Sequence, residues 1–275
     1  MAISYSLHLG NSSNSIRTLK DLQKVSKHNL RRYKEREEAD IEVIRGSSET
    51  IDIARIFHEE FDEALLKYNQ NVRKDRQIED YLKHVDESKY DLCCELIIQV
   101  GNKDFFSNIS KDKQKELVPL FEAQLQKLEE LLPGFKIASA VVHFDENTPH
   151  LHVVGVPVQQ YEKGLSKRVS KSKVFTRDSL AMLQREMRKA CEEEMQHIEL
   201  FNQVELKEKE LGHSKWMPKE VLEEFYTLKK RIEELRSKEE RDVGYINELV
   251  EYYNKLLEQV EETEREIKRS REIEL

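Results

Sequence analysis

The fold is decided by one stretch in the middle of the chain, Lys136-Ile-Ala-Ser-Ala-Val-Val-His143-Phe-Asp-Glu-Asn-Thr-Pro-His150-Leu-His152-Val-Val-Gly-Val-Pro157. Both flanks are alternating runs rich in β-branched residues. The Asp-Glu-Asn-Thr-Pro segment between them has the composition of a turn. The stretch therefore predicts two strands that are joined by a short loop and pair as a hairpin.

The same stretch carries a cluster of histidines. Side chains on a strand alternate between its two faces, so His150 and His152 share a face while Leu151 and Val153 point into a core. Pairing as a hairpin brings His143 to the histidine face. A single histidine on a strand is usually an ordinary surface or core residue, but three on one patch would repel one another when protonated. They predict a metal site with an acidic loop beside it and room for a substrate.

The remaining elements follow from hydrophobic periodicity. Further strands are expected near residues 3–9 and 92–100, and helices over 18–34, 50–84 with a break before Lys74, 110–132 and 176–197. This arrangement predicts an α+β fold, an antiparallel sheet with flanking helices, and we expect the helices on one face of the sheet.

Composition divides the chain near residue 218. We expect one domain over residues 1–215. From 219 to 275, apolar residues recur at a three-four spacing that is interrupted near Gly244. This pattern predicts a helical extension, either a coiled coil or a self-folded hairpin, and makes self-association through 219–275 an open alternative.

The net charge of -8 hides two basic segments. Residues 17–36 hold eight basic and two acidic side chains, and residues 163–177 hold six basic and none acidic. Local basic patches of this kind are what contacts to nucleic-acid phosphates require, although a solvated loop explains the second patch equally well. The candidate DNA-binding residues are Arg31, Arg32, Lys167, Arg168, Lys171 and Lys173.

Localisation is expected to be cytoplasmic. No apolar run approaches the length of a membrane span, and the N-terminus lacks the pattern of a secretory signal. The three cysteines are odd in number and have no CxxC spacing, which favours a reducing compartment.

The basic N-terminal helix contains a second candidate site residue. His28 lies away from the apolar stripe of Leu22, Val25 and Asn29, close to the basic side chains of the helix. Basic neighbours should lower its pKa, so that the imidazole is neutral and nucleophilic near pH 7. An ordinary exposed histidine is the alternative.

The two segments together resemble a known family. His28-Asn29-Leu30-Arg31 and His143-x-Asp145-Glu146-x-x-Pro149-His150-x-His152 are similar to the first and third motifs of the plasmid mobilisation/recombination (Pre/Mob, MobV-type) relaxases. These belong to the HUH endonuclease superfamily. The resemblance runs to about residue 215, but residues 45–74 lack the Ser-His-x-Asn-Tyr pattern of many members, so no second-motif residue is assigned.

The resemblance implies a reaction and its participants. Relaxases bind an origin of transfer, expose single-stranded DNA and cleave one phosphodiester, keeping the 5′-phosphate on the enzyme and leaving a 3′-hydroxyl for rejoining. The implied nucleophile is His28, and Asn29 and Arg31 are the further catalytic candidates in the same motif. Tyr33, one helical turn past Asn29, is a spare nucleophile, although packing explains it equally well.

The residues support a divalent metal for this chemistry. An all-imidazole set formed by His143, His150 and His152 favours Mn²⁺, with Zn²⁺ possible and Mg²⁺ less suited because it prefers oxygen ligands. Glu146 is a candidate base or fourth ligand, and Asp145 is expected to orient a ligand imidazole.

Three other functions remain open. They are a zinc hydrolase, a cupin-type iron protein, and a DNA-binding or replication accessory protein in which the metal is structural. A cupin would need more strands than the sequence predicts, and a zinc hydrolase would not need the basic patches.

Overall fold

The computed structural model describes residues 2–10, 15–32, 39–46, 48–202, 204–206 and Thr227. The chain divides into two compact units, residues 1–207 and 208–275. The fold and site below belong to the first. The predicted extension over 219–275 lies outside the described residues, apart from Thr227, and stays a prediction.

A central antiparallel sheet carries the site. Its strands are β2 (Tyr5–Leu9), β3 (Ile41–Arg45), β4 (Cys94–Val100), β5 (Phe135–His143) and β6 (His150–Gln160), in the order β2-β4-β6-β5-β3. A short strand, β7 (Lys167–Val169), pairs with the end of β6, and β1 (Ala2–Ile3) pairs in parallel with β8 (Glu205–Leu206). The strands predicted near 3–9, 92–100, 136–144 and 150–158 are confirmed, whereas β3 and β7 were not predicted.

The helices are α1 (Leu19–Asn29), α2 (Glu49–Gln70), α3 (Tyr81–Asp86), α4 (Lys103–Phe106), α5 (Lys111–Gln114), α6 (Val118–Leu131), α7 (Lys171–Val174) and α8 (Arg177–Met195), with single 3₁₀ turns at 74–76, 115–117 and 199–201. Thr18 forms a capping box with Asp21 at the start of α1, and Thr176 caps α8. The helix expected up to residue 34 ends at Asn29, and Arg31 adopts φ 50°, a left-handed conformation that stops a helix.

Helices cover both faces of the sheet, which corrects the expectation of one covered face. One core cluster joins Leu96, Val142, Leu151 and Val153 to α6 and α8. The other joins Val154, Val156 and Val158 to α1, α2 and α3. The second covering layer is needed because β6 carries valines on both of its faces, and these are buried along nearly its whole length.

The pairing of β5 with β6 positions the predicted histidines. His143 lies opposite His150, and Val141 lies opposite His152. Because strand side chains alternate, the histidines share the face that α1 and α2 cover, at the end of the sheet beside the 144–149 loop. Leu151 and Val153 are fully buried on the other face, as the sequence predicts.

Candidate metal and nucleophile site

The three histidines of the hairpin converge as predicted. Their ring centroids are 5.2 Å apart for His143 and His150, 4.3 Å for His143 and His152, and 4.8 Å for His150 and His152. Less than a tenth of the surface of each of these three residues is exposed. Three imidazoles on two paired strands of a central sheet form a rigid set of nitrogen donors.

Each imidazole is held through one ring nitrogen. His143 Nε2 donates to the backbone carbonyl oxygen of Asn29, and His150 Nδ1 donates to that of Thr148, both across 2.8 Å. His152 Nδ1 lies 2.8 Å from Oε1 of Glu95. Such outer hydrogen bonds fix the tautomer of metal-binding histidines and direct the other nitrogen at the ion.

Whether a metal fits is tested at the second ring nitrogen of these imidazoles, the one that does not make the hydrogen bonds described above. Among the residues that the structure describes, none hydrogen-bonds the buried Nδ1 of His143 or the buried Nε2 of His152. Buried polar atoms normally have a partner, and a bound ion would be the partner of these two nitrogens. The donor set therefore fits a divalent ion.

Burial keeps the imidazoles of His143 and His150 in the form that binds metals. Burial, followed by the neighbouring His152, lowers the pKa of His143 to about 3. Burial also lowers the pKa of His150, against the opposing effect of its hydrogen bond to Thr148. Neutral imidazole is the ligand form, so little proton release is needed on metal binding.

Glu146 lies beside the predicted ligands. Its Oε1 is 3.8 Å from Nδ1 of His143, and its Oε2 is 3.9 Å from Nε2 of His150. The potential ligand atoms of these three residues lie within 4.8 Å of one another. Burial raises the pKa of the Glu146 carboxyl, but the hydrogen bond and charge of Arg31, together with the neighbouring His150 and His28, hold the pKa below its usual value.

His28 lies at the end of α1 and faces the same cluster. Its ring centroid is 5.4 Å from those of His143 and His152. Together these three residues form a second set of potential ligand atoms within 4.8 Å of one another. The pKa of His28 is lowered, in the predicted direction, but the main cause is burial, followed by His152 and Arg31, and not the exposed basic residues of α1.

The Arg31 side chain donates hydrogen bonds to three other residues of the site. Its Nε donates to Asp145 across 2.8 Å, and its Nη2 donates to Asp145 and to Glu146, each across 2.6 Å. Its Nη1 donates to the carbonyl oxygen of His28 across 3.1 Å. Because only 1% of this side chain is exposed, we replace the predicted role in phosphate binding by one in joining the 144–149 loop to the end of α1.

Two further predicted roles are revised. Asp145 was expected to orient a ligand imidazole, but that role falls to Glu95 and to two backbone carbonyls, while Asp145 accepts from Arg31. Asn29 was predicted to be catalytic. It is fully buried and holds the site together, since its carbonyl binds His143 and its Nδ2 donates to Glu95 across 2.9 Å.

Sequence reasoning missed the buried carboxylates behind the site. Asn29 Nδ2 also donates to Glu49 Oε1 across 3.0 Å, and Ser139 donates to the same oxygen across 3.0 Å. Glu95 was detectable in principle, as a charged residue within the apolar run of β4. Glu49 gave no such signal, because an acidic residue in the first turn of a helix is ordinary.

The predicted DNA-binding residues lie in several environments. Lys167 pairs with Glu60 across 2.9 Å, and Lys171 donates to the Gly10 carbonyl across 2.9 Å. Arg168 lies over the Tyr161 ring, 4.2 Å from its centroid. Arg32 and Lys173 are exposed. Tyr33, the spare nucleophile, lies outside the described residues.

No helix in the described part of the chain is both long and apolar enough to cross a membrane.

Comparison with known proteins places the chain in a family. Residues 14–211 match the family described as "Plasmid recombination enzyme" (Mob_Pre). A plasmid recombination enzyme of Bacillus thuringiensis is 24% identical over 168 residues, which are 61% of this chain and 34% of the relative. One of Streptococcus agalactiae is 31% identical over 128 residues, 43% of this chain and 23% of the relative. The chain thus spans about a third or less of these relatives' length.

Solved structures of the MobM relaxase domain bound to pMV158 oriT DNA also match. A Mn-bound complex at pH 5.5 gives a TM-score of 0.46 at 20% identity, covering 82% of this chain and 98% of the other. A second Mn-bound complex, at pH 6.8, gives 0.48 at 20% identity, covering 80% and 98%. The match of family and motifs over most of the described unit leads to one conclusion: this chain belongs to the plasmid recombination enzyme (Mob_Pre) family.

Proposed function

We propose that this chain is a relaxase that nicks and rejoins one DNA strand at an origin of transfer, through a covalent link between His28 and the 5′-phosphate. One observation carries the proposal: a half-buried histidine of lowered pKa lies 5.4 Å, ring to ring, from two of three converging histidines that fit a metal. A structural metal site would not need this fourth imidazole.

The bond changes balance without a further reactant. A nitrogen of the neutral His28 imidazole attacks the scissile phosphorus, and the bond from phosphorus to the 3′-oxygen breaks. The 3′-oxygen leaves with the electron pair and takes up a proton, which gives a 3′-hydroxyl and a 5′-phosphoramidate on the enzyme. Attack by a 3′-hydroxyl on the phosphoramidate reverses these steps and rejoins the strand.

The residues around His28 have distinct tasks. Glu146 is the candidate to accept the proton that the imidazole loses, because its carboxylate faces both the ligands and the end of α1. Arg31 fixes that carboxylate and the His28 carbonyl at once, which holds the nucleophile and the base in one geometry.

The histidine set would hold the metal through His143 Nδ1, His150 Nε2 and His152 Nε2. When bound, a divalent ion supplies polarisation of the scissile phosphate and offsets the charge that develops on its oxygens. We favour Mn²⁺ over Mg²⁺, because imidazole nitrogen suits the softer ions, and Zn²⁺ is the alternative. We also place the reaction in the cytoplasm, where the free cysteines Cys93, Cys94 and Cys191 stay reduced.

The test is to identify the residue joined to DNA. Purified protein is incubated with Mn²⁺ and the supercoiled plasmid that carries this gene, the products are trapped, and the adduct is located by mass spectrometry. We expect a 5′-phosphate on His28, loss of nicking in His28→Ala, and wild-type nicking in His58→Ala, whose side chain is exposed on α2.

Other outcomes discriminate among the alternatives. An adduct on a tyrosine would keep the reaction and overturn the nucleophile. Metal and DNA binding without nicking would overturn the enzyme assignment in favour of a DNA-binding accessory protein.

A further inference from the structure

A groove about 790 Å³ in volume lies away from the histidine cluster, between β7, the 161–165 loop and the loops on either side of α3. Its walls combine tyrosines with basic side chains. The residues that carry the argument are Tyr68, Tyr90, Tyr161, Lys89, Arg168 and Lys171. We propose that this groove binds a length of single-stranded DNA that continues from the strand held at His28. This rests on the proposed function.

The charge of the groove is opposite to that of the chain. Arg17, Lys89, Arg168 and Lys171 line it, with Asp91 as its acidic member, whereas the whole protein carries -8. Asp91 lies 3.8 Å from both Arg17 and Lys171 and offsets one of the four positive charges. A cationic groove attracts a polyanion and repels basic surfaces.

The aromatic rings supply a second recognition element. Tyr90 is 61% exposed, an uncommon state for so large a ring, and Tyr68 and Tyr161 are partly exposed. The Arg168 guanidinium lies 4.2 Å from the Tyr161 ring centroid. Hydrogen bonds that it donates to the carbonyl oxygens of Leu165 and Lys163 hold it there. Aromatic faces interleaved with cations are the pattern by which proteins bind single strands without reading their sequence, because every base can stack.

Two distances connect the groove to the histidine cluster. Arg17 directly precedes α1, and His28 lies in the last turn of that helix, about 16 Å away at 1.5 Å per residue. Val169 pairs with Val158, which lies six residues along β6 from His152, or about 20 Å. One strand of DNA covers such a gap in roughly six nucleotides at the 3.4 Å spacing of a duplex strand.

The floor of the groove is rigid. Tyr81 is buried, and its hydroxyl accepts the backbone N–H of Val169 across 3.1 Å. This bond ties α3, the helix that precedes Tyr90, to β7, the strand that follows Tyr161. Preorganised aromatic groups lose little conformational freedom on binding, which favours their use as stacking platforms.

The test measures the binding of a fluorescein-labelled oligothymidylate of eighteen nucleotides by fluorescence anisotropy. EDTA is present so that no cleavage occurs. We expect Tyr90→Ala to weaken binding about tenfold, and Tyr90→Phe to bind as the wild type does, since stacking needs the ring alone. Lys89→Glu should weaken binding and flatten its dependence on salt, while Lys103→Glu, an equal charge change on α4, should have no effect.

A cross-link locates the strand independently. Oligothymidylate containing 5-iodouracil should attach to Tyr90, Tyr161 or Tyr68 on irradiation. Wild-type affinity in Tyr90→Ala, cross-links confined to residues outside the groove, or equal competition by polyglutamate would overturn the proposal. Binding in EDTA does not depend on catalysis, so failure of nicking and failure of this groove are separate results.

Discussion

His143 Nε2 donates to the carbonyl oxygen of Asn29 across 2.8 Å, and this bond joins a predicted metal ligand to the residue that follows the predicted nucleophile. The hairpin and the end of α1 are more than a hundred residues apart in sequence. The bond turns them into one unit, in which the position of His28 and the direction of the ligand nitrogen depend on each other. Metal binding and nucleophile geometry are therefore expected to respond together to changes in this connection.

The first prediction concerns metal binding itself. Mn²⁺ at a hundred times its dissociation constant should stabilise the protein by about 2.7 kcal/mol, because the ion binds only the folded state. For a unit of this size that raises the Tm by roughly 5–10 °C. Thermal unfolding followed by circular dichroism, with Mn²⁺ or with EDTA, measures the effect. His152→Ala should abolish it and His58→Ala should retain it; an equal rise in both variants would contradict the assigned ligands.

The second prediction concerns Glu95. Replacing it by Gln keeps the shape of the side chain but removes the carboxylate that faces His152 Nδ1 at 2.8 Å. The imidazole then becomes less basic and less firmly oriented, so Mn²⁺ affinity should fall 10- to 100-fold, a magnitude typical of outer partners of metal ligands. Isothermal titration calorimetry measures the change. Unaltered affinity in Glu95→Gln would show that the carboxylate does not tune the site.

The third prediction compares two arginine pairs. Arg31→Ala leaves Asp145, whose side chain is 9% exposed, without its bidentate partner, and should cost about 3 kcal/mol of unfolding free energy. Arg45→Ala breaks a pair with Glu129 in which both side chains are more than a third exposed, and should cost less than about 1 kcal/mol. Urea unfolding of both variants in EDTA gives the comparison. Similar losses of unfolding free energy in the two variants would contradict the role of Arg31 in joining the 144–149 loop to the end of α1.

Sequence analysis predicted the strands and helices that have a clear local pattern of apolar and polar residues. The four predicted strands and the helix that ends before Pro133-Gly134 follow from alternation and from helix-breaking residues, and the hairpin predicted the convergence of His143 with His150. β3 was missed because its sequence, Ile-Glu-Val-Ile-Arg, breaks the alternation of apolar and polar residues at Ile44, and β7 was missed because three residues carry too little periodicity. Their pairing partners, β5 and β6, define them.

The chemistry of the site was readable only in part. Histidine spacing predicted that the three imidazoles converge, but the hydrogen-bond partner of each imidazole comes from a different part of the chain, and two of the three partners are backbone carbonyls, which leave no mark in a sequence. Arg31 was assigned to phosphates because a basic residue beside a predicted nucleophile suggests that role. Only the fold reveals that Asp145 and Glu146 surround it.

The last prediction concerns the pH dependence that Glu49 confers. Burial raises the pKa of its carboxyl, against the hydrogen bonds from Asn29 and Ser139. Within the described residues, none hydrogen-bonds its second oxygen, Oε2. The folded state therefore binds this proton more tightly than the unfolded state does. Its contribution to stability falls as the pH rises from about 4.5, the ordinary value, towards the raised pKa.

Glu49→Gln removes this titration, so the variant should gain stability relative to the wild type as the pH increases through that range. Any constant cost of burying the amide does not alter the trend. Glu60→Gln is the control of opposite sign. Burial raises the pKa of Glu60, but Lys167 and Lys136 lower it more, so that carboxylate stabilises the fold above the ordinary pKa. Glu60→Gln should therefore lose stability relative to the wild type as the pH rises from acid towards neutral. Urea unfolding in EDTA from pH 4 to pH 8 measures both variants, and a relative loss in Glu49→Gln with rising pH would mean that Glu49 is ionised and stabilising in the folded protein.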